Sequence, residues 1–130
     1  MNDVTINLKI HQHEVPDLRE SVGWERRDKD YPCLLQRVLF WAGARSNSGQ
    51  LIAFGYVTGP GIEHGYLDDI IVHPCHQRTG IGMKLVRGLL NEAKKQEISI
   101  ITVTFSPEHE PFYVKCGFNT SRAGIWLRNI

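Results

Sequence analysis

Apolar and polar residues alternate from Val4 to Ile10, with Val4, Ile6, Leu8 and Ile10 on one side. That two-residue period predicts a half-buried strand. Pro16-Asp17-Leu18 opens a short helix that should end near Gly23, and the charged stretch Trp24 to Asp30 reads as a loop. Pro32 to Val38 fits a second short helix. Leu39 to Arg45 and Leu51 to Val57 read as two strands, joined by a hairpin turn at Ser46-Asn47-Ser48-Gly49. Gly59-Pro60-Gly61 breaks the chain, and a further strand runs from Gly65 to His73, where Pro74 stops it. From Ile81 to Lys95 the period changes to that of a helix. Ile81, Leu85, Leu89 and Ala93 form an apolar stripe, flanked by Val86 and Leu90, with Lys84, Arg87, Glu92 and Lys94 elsewhere. Ile98 to Phe105 is a β-branched strand. Pro111 to Lys115 is a short helix stopped by Gly117, and Phe118 to Arg128 reads as strand again.

The resulting order, β-α-α-β-β-β-α-β-α-β-β, predicts an α/β domain with a mixed sheet and helices on both faces. A length of 130 residues suits one domain over 1–130. Apolar content of 42% supports a single core. No run approaches the roughly 18 apolar residues a membrane span needs, so no membrane partner is expected. Met1-Asn2-Asp3-Val4 lacks the basic and apolar regions of a signal peptide. Cys33, Cys75 and Cys116 are an odd set without C-x-x-C spacing, which favours reduced thiols and a cytoplasmic location. A net charge of +1 with both signs interspersed gives no basic stripe for nucleic acid.

The chemistry concentrates at Gln77-Arg78-Thr79-Gly80-Ile81-Gly82, between a strand and the amphipathic helix. A helix N-terminus carries backbone N–H groups without internal partners and about half a positive charge from the helix dipole. Such a turn binds phosphate through the main chain. A nucleotide P-loop would need G-x-x-x-x-G-K-S/T, which is absent. The dinucleotide fingerprint would need a small residue where Leu85 stands.

Gln77-x-x-Gly80-x-Gly82 before a helix, followed about 30 residues on by Phe112-Tyr113-Val114-Lys115-Cys116-Gly117-Phe118, resembles the GNAT acetyltransferase superfamily. The resemblance runs over nearly the whole chain. It implies a GNAT fold with a mixed, mostly antiparallel central sheet of six or seven strands. It also implies acetyl-CoA as co-substrate. The pyrophosphate would meet backbone N–H groups from Arg78 through Thr79, Gly80, Ile81 and Gly82 to Met83. The pantetheine arm would lie along Ile70, Ile71 and Val72, and Tyr113 would donate a proton near the thioester sulfur. Relatives often carry asparagine where Ser106 stands, a position that contacts the cofactor or a helix start; serine can cap the following turn.

A primary amine is the expected acceptor. An alkylammonium with a pKa of about 10.4 must lose a proton before it can attack. Asp68 and Asp69 are the candidate bases, with Glu63 and His64 behind them. Because successive strand residues point to opposite faces, one of the two aspartates should face the cleft. Trp24, Tyr31, Phe54, Tyr56 and Trp126 could wall an acceptor pocket. His73, Cys75 and His76 are too close in sequence to assemble a closed metal site, so no metal is expected. Cys116 reads as a packed residue. The expected activity is therefore direct acetyl transfer to a small-molecule amine by a monomer or homodimer. The alternatives are acetylation of a protein amine or a non-catalytic acyl-CoA-binding module.

Overall fold

A computed structural model describes residues 2–129. Five strands form one sheet in the order β1-β2-β3-β4-β5. They are β1 (Thr5–Ile6), β2 (Phe40–Arg45), β3 (Leu51–Thr58), β4 (His64–Val72) and β5 (Ile100–Val103). The first four pair antiparallel, and β4 pairs parallel with β5. Three helices accompany them: α1 (Glu14–Ser21), α2 (Ile81–Lys95) and α3 (Glu110–Lys115).

Helix α2 lies on one face of the sheet. Its buried stripe of Ile81, Leu85, Val86, Leu89 and Ala93 meets Phe40, Ala42, Ala53, Val57 and Leu67. On the opposite face, Val15 and Leu18 of α1 pack with Tyr31, Leu35, Phe54, Tyr56 and Ile71. Burying two cores on one sheet explains the nearly continuous burial of β3, which serves both.

The sheet has five strands among the described residues, not six or seven. No strand forms over Phe118 to Arg128; residues 119–129 are exposed and carry Ile125, Trp126 and Leu127 into solvent. β-forming composition is not enough there, because a strand needs a neighbour's backbone and this segment pairs with none of the five. At the other end, burial alternates through residues 4–10 as the pattern requires, but pairing covers only Thr5 and Ile6. Asn7, with φ 55°, turns the chain out of the extended conformation. The helix expected over Pro32 to Val38 is a four-residue 3-10 turn, Cys33–Gln36.

Candidate functional site

The site begins with an irregularity in β4. Phe54 pairs with Ile71 and Tyr56 pairs with Asp68, so Gly55 alone opposes both Asp69 and Ile70. This is a β-bulge. Asp69 adopts φ 50°, a left-handed conformation that aspartate tolerates better than most residues. Gly55 permits the close approach, since a Cβ there would collide with the Ile70 side chain.

The bulge cancels one alternation, and both aspartates end up on the α1 side. Asp68 accepts a hydrogen bond from the Tyr56 hydroxyl at 3.0 Å, and its other oxygen accepts the Asp69 N–H at 2.8 Å. Asp69 accepts from Arg19 Nη1 at 2.8 Å and from the Tyr31 hydroxyl. The expectation that the two aspartates point to opposite faces is thus corrected: side-chain parity holds only along a regular strand. Their surroundings still differ. Asp69 is 9% exposed and ion-paired, whereas Asp68 is half-buried and makes no salt bridge.

Just before the bulge, β4 parts from β5. Parallel pairing runs from His64 with Ile100 to Leu67 with Val103 and stops. The β5-facing edge of Asp68 to Val72 therefore borders a V-shaped gap. A cleft of about 660 Å³ opens from it, lined by Ile70, Val72, Gln77, Arg78, Gly80, Gly82, Met83 and Tyr113. Seven residues expected at the cofactor and one expected at the chemistry thus share one cavity.

The turn at its mouth presents main-chain N–H groups. Gly80 caps α2 with φ 88° and no side-chain capping bond, and Lys84 N–H makes the first bond back to Gly80. The N–H groups of Ile81, Gly82 and Met83 therefore have no helical acceptor. The Gln77 side chain donates to the Val72 carbonyl at 3.0 Å and holds the turn against the strand end. Lys115 and His109, which no sequence motif singles out, also line the cleft. Lys115 lies four residues after Pro111, another lining residue, and that helical spacing was the available signal.

The side chains of the other expected cofactor residues do not line this cleft. The Ile71 side chain is buried in the α1-side core, and Ile81 in the α2-side core. The Thr79 hydroxyl donates to the His76 carbonyl at 2.6 Å. Ser106 is exposed at the start of a 3-10 turn and makes no capping bond.

Tyr113 is 7% exposed. Its ring stacks on Phe105 at 4.8 Å and meets the edges of Phe112 and Phe118. Burial, with the charges of Cys116, Asp68 and Tyr66 behind it, pushes its pKa up to about 12. The phenol is therefore protonated throughout the neutral range. Burial also raises the Cys116 thiol, which suits a packed residue and not a nucleophile.

Of the five aromatics expected at the acceptor, three come together. The Tyr31 and Phe54 rings lie 5.9 Å apart and those of Phe54 and Tyr56 6.3 Å apart, all on the α1 side. Burial first, then the Asp69 charge for Tyr31 and the Asp68 charge for Tyr56, raises both phenols. Trp24 is partly exposed beside them, with the Arg19 guanidinium 5.3 Å above its ring. Trp126 is 83% exposed in the unpaired C-terminal segment and joins neither core. Arg19, which no motif or spacing marks, gathers this side: it also donates Nε to the Glu25 carbonyl at 2.6 Å. Among the described residues, no group of three or more His, Cys, Asp or Glu side chains is placed to hold a metal.

A sheet that splays beside a helix N-terminus, with two cores on its faces, is the architecture of the GNAT class of acetyltransferases. A GNAT-family acetyltransferase of Streptococcus pneumoniae superposes with a TM-score of 0.83 over 100% of both chains, at 22% identity. The structure of AAC(6')-Iy with the bisubstrate analogue CoA-S-monomethyl-acetylneamine superposes with a TM-score of 0.78, at 17% identity, over 100% of this chain and 99% of that one. In sequence, the acetyltransferase (GNAT) domain model matches residues 38–125, and the chain belongs to that family. Among curated proteins, the uncharacterized N-acetyltransferase ycf52 of Pyropia yezoensis is 27% identical over 123 residues, 92% of this chain and 71% of that protein.

Proposed function

We propose that this protein transfers the acetyl group of acetyl-CoA directly to a primary amine of a small molecule. The observation that carries this reading is the continuity of the cleft from the α2 N-terminus, along the unpaired edge of β4, to Tyr113. The residues there fit the co-substrate. The free N–H groups of α2, with Arg78 and Lys115, suit a pyrophosphate. The peptide groups of Asp68 to Val72, without a β5 partner, suit the amide-bearing pantetheine arm. Acetyl-CoA supplies an activated acyl thioester. AAC(6')-Iy, which shares this fold, is in complex with an analogue that joins CoA to acetylneamine, and that likeness favours a small-molecule acceptor.

The remaining roles belong to this chain. Asp68 takes the ammonium proton, directly or through water, because Asp69 is committed to Arg19 and Tyr31. Tyr31, Phe54 and Tyr56 support that side from within the core, and Trp24 borders it. Tyr113 serves the leaving sulfur. A phenol at about 12 would give its proton to a thiolate of pKa near 8.5 at a cost of about 5 kcal/mol. Donating a hydrogen bond to the developing sulfur anion costs less, and solvent can complete the protonation.

The test is thiol release from acetyl-CoA across a library of primary amines, paired with calorimetry. We expect turnover with at least one amine. Tyr113→Phe should lower kcat about 10²-fold while acetyl-CoA affinity stays within about threefold. Tight acetyl-CoA binding without turnover on any amine would make the protein a binding module. Preference for ATP or NAD over acetyl-CoA would overturn the reading.

A further inference from the structure

The V-shaped gap has a closed end. The last backbone pair before β4 and β5 part is Leu67 with Val103. On the α2 side this apex is filled by Leu67 and Val103, with Phe105 stacked on Tyr113. On the α1 side a side-chain strut crosses it. Tyr66 and Asp68 share the α1 face, because their partners Thr58 and Tyr56 do. The Tyr66 hydroxyl hydrogen-bonds the Thr104 hydroxyl, and Thr104 lies one residue past the last paired position of β5. The bond thus spans the strands where they have begun to separate.

We infer that the Tyr66–Thr104 strut sets the size of the acyl group the protein accepts, admitting acetyl and excluding longer chains. This rests on the acetyl-CoA reading. The α2 N-terminus and Tyr113 line one cleft, and Tyr113 stacks on Phe105 at the apex, so on that reading the acyl end of the ligand lies beside Tyr113 and faces the apex. Two extra methylenes must then displace either the packed Leu67–Val103–Phe105 wall or the strut. Packed interiors resist added methylenes. The strut, by contrast, is a single bond between half-buried Tyr66 and exposed Thr104, and neither residue belongs to either core.

The experiment measures binding, which needs no acceptor. Calorimetry with CoA, acetyl-CoA and butyryl-CoA is run on the full chain and on Thr104→Ala, Thr104→Val and Tyr66→Ala. In the wild type we expect butyryl-CoA to bind about tenfold or more weakly than acetyl-CoA. Thr104→Ala and Tyr66→Ala open space and should bring the two within about threefold, with the affinity for CoA unchanged. Thr104→Val keeps the volume but breaks the bond, and should fall between. Equal affinity of the wild type for both acyl-CoAs would overturn the inference, as would an unchanged ratio in both alanine variants. Failure of CoA itself and both thioesters to bind would overturn the acetyl-CoA reading and this inference with it.

Discussion

Asp68 and Asp69 are neighbours in sequence and on one side of the sheet, yet their partners give them different work. Asp69 is buried with Arg19, and removing one member of a buried pair leaves the other charge uncompensated. Asp69→Asn should therefore cost about 3–5 kcal/mol in denaturant unfolding. Asp68→Asn loses no cation, so its stability should change by less than about 1 kcal/mol, while kcat on the true amine falls about 10²-fold. Large destabilisation by the second variant and none by the first would reverse the assignment. The tyrosines add a pH signature. Tyr31, Tyr56 and Tyr113 all have raised pKa values, with burial the largest cause in each. A group whose pKa is raised in the folded state binds its proton more tightly there, so its contribution is complete below the unfolded value near 10 and is lost as pH climbs above it. The unfolding midpoint should hold steady up to about pH 9 and fall above 10. Tyr113→Phe should flatten that fall.

At the scale of elements, β4 is a strand with a step in it, and Gly55 makes the step possible. Gly55→Ala would press a methyl into Ile70 and against Leu89, which lies 3.3 Å from the added carbon. We expect a loss of about 1–3 kcal/mol in thermal or denaturant unfolding, with weaker acetyl-CoA binding, because Ile70 lines the cleft. The step also marks where the fold stops being legible in the sequence. Helix α2 was legible to its last residue because its stripe, from Ile81 to Ala93, coincides with what is buried. The glycine turn was legible as a helix start because its geometry is local: Gly80 takes φ 88° and α2 opens at the next residue. The bulge was not legible, since alternation along β4 says nothing of how many residues β3 opposes to it. A lone glycine inside a strand was the single hint. Nor could Arg19 be found, because its value lies in reaching from α1 to a carboxylate fifty positions away. The strand expected after Phe118 failed for the opposite reason: Ile125, Trp126 and Leu127 suit a strand, but pairing is a property of the neighbour.

Across the whole molecule, the sheet divides two territories. Cores of similar construction lie on its two faces, one under α2 and one under α1. The cleft belongs to the first side and the aspartates to the second, and they communicate where β4 and β5 separate. The opening is backed by packed elements: β3 pairs with β4, β2 with β3, and α2 packs across β1 to β4. The partition has a kinetic consequence. On the proposed reading, donor and acceptor approach from opposite sides of a wall, so neither needs to leave before the other arrives, and no side chain has to carry the acyl group between visits. Double-reciprocal initial-velocity plots at several fixed acceptor concentrations should therefore intersect. Parallel lines would mean that the acyl group is parked on the protein, and would overturn direct transfer.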